Sequence, residues 1–209
     1  MKVNDVTIKR FGYWIATVAL FGAAGYSVAQ VLQVLGLINF PIDAILIYGF
    51  SLCIAFPFTL SILALHYLVP SEKRFWTHAS VLASVIYTTY VSLNYVVQLA
   101  TVLPASLHGS LEPIRILDQT PHSLFWDVDG IGYIFMGIAA FFAAQVFEKS
   151  GMPGWTRRFL LAHALVTPLI AVVYFYPTFS TTLLIIGSPW IVTSTGSILL
   201  LALHLRRTG

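Results

Sequence analysis

The chain is 209 residues long, 58% hydrophobic, only 9% Asp, Glu, Lys and Arg, with a formal net charge of +3. A soluble domain carries about a quarter charged residues, so this composition excludes a soluble globular domain, a disordered tail, a coiled coil and collagen. The positive charges form no contiguous patch, which argues against nucleic acid as a partner.

The N-terminal stretch is basic and runs into about 25 apolar residues, too long for a cleavable signal peptide, so it reads as a retained first span. A bilayer core needs roughly 20 helical residues. Six segments meet that length: Gly12 to Leu37, Ile42 to Val69, Phe75 to Leu103, Leu124 to Phe147, Trp155 to Tyr176 and Thr181 to Leu205. None alternates with a period of two, as a transmembrane β-barrel strand would. The expected fold is therefore all-α: a polytopic membrane protein, one domain over residues 1–209, six transmembrane helices in one bundle. Pro57 and Pro168 fall near the middle of the second and fifth spans. Two three-helix halves with broken middle helices resemble the inverted repeat of transporters, but no further side-by-side identity accompanies the prolines, and ordinary proline kinks repaired by neighbouring helices are the better explanation.

Charge sets the orientation. Lys2, Lys9 and Arg10 precede the first span, and Lys73 and Arg74 separate the second from the third. Lys149, Arg157 and Arg158 mark the start of the fifth, and Arg206 and Arg207 close the sixth. All of these share one side of a six-span chain, and Arg115 alone takes the other. The positive-inside rule then places both termini in the cytoplasm, in a membrane of the bacterial inner (plasma) type. Trp14, Trp76 and Trp155 fall near the inner interface and Trp126 near the outer one, as aromatic belts do.

Polar side chains at membrane depth are the candidate functional residues. The block Phe125-Trp126-Asp127-Val128-Asp129-Gly130-Ile131-Gly132-Tyr133 opens the fourth span. Residues two apart point in different directions on a helix, so one of Asp127 and Asp129 should face the bundle and the other the loop or headgroups. The third span carries a stripe of Ser80, Ser84, Tyr87, Thr88, Asn94, Tyr95 and Gln98, and Gln30 and Gln33 lie in the outer third of the first. A ligand-binding pocket open to the outside would draw on Asp127, Asp129, Asn94, Gln98, Gln30, Gln33 and Trp126. The long connection Pro104 to Ser123, with Glu112, Asp118 and His122, would lie over it as a lid. The alternative for the stripe is interhelical hydrogen bonding that holds the bundle together.

Four histidines, His66, His78, His163 and His204, are expected near the inner interface, where imidazoles are able to ligate haem or a metal. Their spacing matches no ligand motif, so no cofactor is assigned. Cys53, the one cysteine, reads as a small buried hydrophobe. The sixth span holds Gly187-Ser188-Pro189-Trp190 and a run of small and hydroxyl residues that suits close helix packing.

Three functions remain open at this point. The first is a small transporter or membrane receptor taking a polar or amphipathic small molecule from the outer side. The second is a membrane enzyme acting on lipid headgroups, with Glu112, Asp118, Asp127 or Asp129 as base or metal ligand and His122 as acid. The third is a non-catalytic subunit or scaffold, in which the small residues Gly22, Ala23, Ala24, Gly25 and Ala29 of the first span and Gly130, Gly132, Gly137, Ala139 and Ala140 of the fourth pack against other helices, within the chain or in a partner membrane protein or second copy. Membrane lipids are partners in all three.

Overall fold

A computed structural model describes residues 4–207, with the side chains of Thr181 and Arg207 left aside; Lys2 of the charge pattern lies outside that range. Six helices in it are long and apolar enough to cross a membrane. They are α1 (Asp5–Val34), α2 (Ile42–Leu68), α3 (Arg74–Val97), α4 (Leu124–Ala144), α5 (Gly151–Phe175) and a sixth span in two pieces, α6 (Thr181–Gly187) and α7 (Pro189–Arg207).

The first span starts earlier than hydropathy suggests. Asn4 caps it by accepting a hydrogen bond from Val6 N at 3.2 Å, and a polar N-cap outweighs the low hydropathy of the first turns. The third span runs beyond the apolar stretch. One wide turn, Gln98–Val102, closes with Leu103 N bonded to Gln98 O, and a last turn reaches Leu107. The connection expected to lack a helix from Pro104 onwards thus begins as helix and includes a 3-10 segment, Glu112–Leu117. Pro57 and Pro168 sit inside α2 and α5. Pro189 instead opens α7, where its missing N–H and fixed φ suit a first helical position, and the span breaks there.

The helices pack in chain order around a ring: α1 on α2, α2 on α3, α3 on α4, α4 on α5, α5 on α7, and α7 back on α1. The first and last helices meet at one end of the bundle, where Arg206 lies over the Tyr13 ring at 5.9 Å and a Cβ on Gly12 would touch Leu205. The start of α1 and the end of α7 therefore share that end, called the terminal end below; the α2 N-terminus and the 104–123 connection mark the far end. The short α6 rests on α5, whereas α1 meets the sixth span through α7, so the ring is well closed only where α7 reaches.

The inside of the ring is a dense core. Ala16, Ala19 and Ala23 of α1, Phe58 of α2, Tyr87 of α3, Met136 of α4, Leu160 of α5 and Leu201 of α7 are buried together. Phe21, Phe56, Leu82, Leu93, Phe141, Leu165 and Val192 face outward and exposed, an arrangement that is stable only against hydrocarbon. The small residues of α4 serve contacts within the chain: a Cβ on Gly132 would come within 2.7 Å of Val91 on α3, and Gly137 lies against Thr167 on α5. Hydroxyls join the walls. Ser80 Oγ donates to Ala139 O at 2.7 Å, Thr59 Oγ1 to Ser84 O at 2.8 Å and Thr88 Oγ1 to Ala55 O at 2.8 Å. Ser80 and Thr88 of the polar stripe on α3 therefore make interhelical hydrogen bonds, each contributing roughly 0.6 kcal/mol, whereas Ser84 Oγ donates to Val81 O within its own helix.

A candidate ligand cavity at the far end

The block around Asp129 builds one wall, residue by residue. Ser123 caps α4 by accepting from Trp126 N at 3.2 Å, which fixes the phase of the helix. Trp126 then points its indole N–H at Tyr174 O, 2.9 Å away, covering a carbonyl in the last turn of α5 that has no intrahelical partner. One turn deeper, Asp129 is buried with only 2% of its surface exposed. Its Oδ2 accepts from the Tyr174 hydroxyl at 2.6 Å and from Gln119 Nε2 at 3.0 Å. Gly130 makes this possible, because a Cβ there would meet the Tyr174 ring at 2.7 Å. Tyr133, one turn below, shares a 2.7 Å hydroxyl contact with Tyr95 of α3.

Behind this wall a chain of amides ties the 104–123 connection to α3. Gln98 Nε2 donates to Leu117 O at 2.8 Å, and Gln98 Oε1 accepts from Gln119 N at 3.1 Å. Asn94 Nδ2 donates to Gln119 Oε1 at 2.9 Å. Gln119 is thereby held with its amide nitrogen aimed at Asp129. The opposite wall carries a second chain. Tyr26 donates to Gln30 Oε1 at 3.1 Å, Gln30 Nε2 to Gln33 Oε1 at 2.8 Å, and Gln33 Nε2 to Asp43 Oδ2 at 2.9 Å.

Between the walls lies a cavity of about 650 Å³. Gln30, Gln33, Trp126 and Asp129 line it; Asn94 and Gln98 stand one layer behind, and Asp127 lies on a half-buried face of α4 away from it. The division between Asp127 and Asp129 follows the helical phase expected from the sequence. Of the three loop residues, Glu112 is exposed and pairs with Arg115 at 3.2 Å, His122 is exposed, and Asp118 is half-buried; it is Gln119 and Pro121 of that loop that reach the cavity. Sequence reasoning passed over these two, together with Asp43, Tyr26, Tyr48, Tyr174 and Trp190. A helical-phase argument on α1 would have found Tyr26, one turn before Gln30. Nothing local marks Gln119.

Two buried polar atoms of the cavity wall lack a hydrogen-bond partner, Asp129 Oδ1 and Trp190 Nε1. Aromatic rings make up much of the wall: Tyr48 stacks on Tyr95 with centroids 5.3 Å apart, and Trp190 meets Tyr133 at 5.0 Å and Tyr26 at 5.3 Å, edge to face.

The histidines do not form one layer. His66 bonds Thr77 Oγ1 through Nδ1 at 2.9 Å and faces His78, and His204 packs on Phe147. His163 departs from the expected inner interface. It lies midway along α5, buried, with Nδ1 3.2 Å from Thr193 Oγ1 and its ring beneath Trp190, because α5 begins at Gly151 and about 18 Å of helix precedes His163. Among the described residues no three His, Cys, Asp or Glu side chains gather as a metal site would need, and Glu112, Asp118, Asp127, Asp129 and His122 do not converge. No family model, curated protein or solved structure matches the chain.

Proposed function

We propose that this multi-pass membrane protein binds an amphipathic small molecule in the far-end cavity, as a receptor or as the substrate-loading state of a small transporter. The observation that carries the reading is the cavity itself: about 650 Å³, within the usual range for small-molecule sites, mostly apolar, with a few convergent polar groups on fixed helices. The core below it is continuous through Tyr87, Met136 and Ile198, which separates the cavity from the terminal end. The distribution of Lys and Arg supports an outward-facing mouth in a plasma-type membrane. A transporter would need a second arrangement that opens the terminal end, and the packed alanines of α1 are the obstacle it would have to move.

Native mass spectrometry of protein released gently from its membrane tests this reading. A discrete bound mass is expected on the wild-type chain and is expected to vanish in Ala44→Trp, which fills the cavity from the first turn of α2. A bound mass that survives Ala44→Trp would place the ligand elsewhere and overturn the proposal.

A further inference from the structure

The cavity has a definite charge character. Two carboxylates line it, Asp43 and Asp129, and among the described residues no lysine, arginine or histidine does. The two acids are not equivalent. Asp43 is satisfied by neutral donors on both oxygens, Gln33 Nε2 at 2.9 Å and Ala44 N at 2.8 Å. Asp129 Oδ2 is satisfied by Gln119 and Tyr174, whereas its buried Oδ1 makes no direct hydrogen bond and has only the neutral Tyr95 hydroxyl and Asn94 amide near the carboxyl. A carboxylate inside a membrane bundle without a counter-charge is costly and marks a place where a cation is accepted.

The surroundings decide which kind of cation. The side chains that most often hold a metal do not gather here: among the described residues there is no group of three His, Cys, Asp or Glu. The cavity instead offers π-faces, from the Tyr48–Tyr95 stack and from Tyr26 and Tyr133 around Trp190. Aromatic rings beside a carboxylate are the environment that recognises substituted ammonium groups. The cavity also has an apolar, exposed edge. Where the sixth span breaks at Pro189, α6 rests on α5, and the cavity is edged by Val31 and Val34 of α1, Leu35 just past its end and Ile185 of α6, all exposed. An apolar chain is at home in that slot.

We infer that the cavity takes an amphipathic organic ammonium, with its cationic head at Asp129 among the aromatic rings and its apolar chain in the slot between α1 and α6. This inference rests on the small-molecule reading above and narrows it to one ligand chemistry. A free amine amphiphile and a choline-headed lipid share that chemistry.

The test is a tryptophan-fluorescence titration of the full chain in phosphatidylglycerol nanodiscs, since Trp126 and Trp190 line the cavity. Four probes are compared: octyltrimethylammonium, the uncharged octyl tert-butyl ether, octyl sulfate, and short-chain dihexanoyl phosphatidylcholine. Octyltrimethylammonium is expected to bind saturably and at least about tenfold more tightly than the ether, the order of effect for a partly buried charge pair, and octyl sulfate not at all. Asp129→Asn should remove that tenfold preference while leaving binding of the ether intact; Asp127→Asn should leave both unchanged. Phosphatidylcholine binding on a par with octyltrimethylammonium would support a lipid headgroup as the occupant, and its failure to bind would support a free amine. Equal affinity for cation and ether in the wild type overturns the ammonium inference and leaves the cavity reading standing, without reliance on any variant. An Asp129→Asn chain that keeps the cation preference also overturns it. Saturable binding by none of the four overturns the inference and the cavity reading together.

Discussion

Gln98 is the residue through which α3 holds the connecting loop over the cavity, and its removal has a calculable effect. The side chain is almost wholly buried, with 1% of its surface exposed, and it makes two bonds to loop backbone, to Leu117 O and from Gln119 N. Gln98→Leu keeps much of the volume and deletes both bonds. A typical net value is about 0.5–1.5 kcal/mol per hydrogen bond, and water at the far end re-solvates the released loop groups, so the loss should sit near the low end, about 1–2 kcal/mol in total. That energy belongs to opening of the loop and much less to unfolding of the bundle. Each 1.4 kcal/mol is a factor of ten in an opening equilibrium, so amide exchange at Gln119 should accelerate by roughly five- to thirtyfold in Gln98→Leu. Exchange in the middles of α2 and α4 should not change. The measurement is hydrogen–deuterium exchange by mass spectrometry on wild type and variant in the same nanodiscs. Unchanged exchange across residues 117–120 would refute the argument that Gln98 clamps the loop, and with it the account of how Gln119 is aimed at Asp129.

Other expectations follow from single contacts. Gly132→Leu drives a side chain into Val91, 2.7 Å from where even a Cβ would stand; overpacking of this kind costs about 1–3 kcal/mol, seen as a lowered melting temperature, and Gly49→Leu, where a Cβ meets nothing within 4 Å, is the tolerant control. Ser80→Ala removes a single bond to Ala139 O and should shift stability by only about 0.6 kcal/mol, within a degree or two of melting temperature; a large loss would mean that the stripe on α3 contributes more than interhelical bonding. Orientation is checked in a Cys53→Ser background by an impermeant maleimide. Gly109→Cys, in an open far-end turn, should label on intact cells, and Lys149→Cys only after permeabilisation; the reverse pattern would invert the proposed topology.

The carboxylates and His122 that a headgroup enzyme would bring together lie apart, with Glu112 committed to Arg115 at the surface. The small residues of α4 that a scaffold would present to partners are used up against Val91, Thr167 and Tyr174. On α1, Gly22 lies against the α2 backbone at Cys53 and Phe50, while Ala24 is exposed.

Six spans and their approximate limits were legible in the sequence, because hydropathy adds up over a window and needs no knowledge of neighbours. The helical phase of the fourth span likewise separated Asp129 from Asp127 without any structure. Depth along the chain was less reliable: Asn4 and the wide turn at Gln98 lengthen helices through caps and hydrogen bonds that hydropathy does not register, and His163 moved to mid-span once the start of α5 was known. What only the tertiary structure decided is which polar groups meet. Gln30, Gln33 and Asp43 join across a turn, whereas Gln119 comes from a polar loop to reach Asp129, some ten residues on and one helix turn down. Such a contact depends on how the loop folds back over the ring and on Gly130 letting Tyr174 approach, and neither is a property of any local run of residues. The same holds for the unpartnered oxygen of Asp129. An unmet hydrogen bond is the absence of a neighbour, and it becomes visible only when every neighbour has been placed.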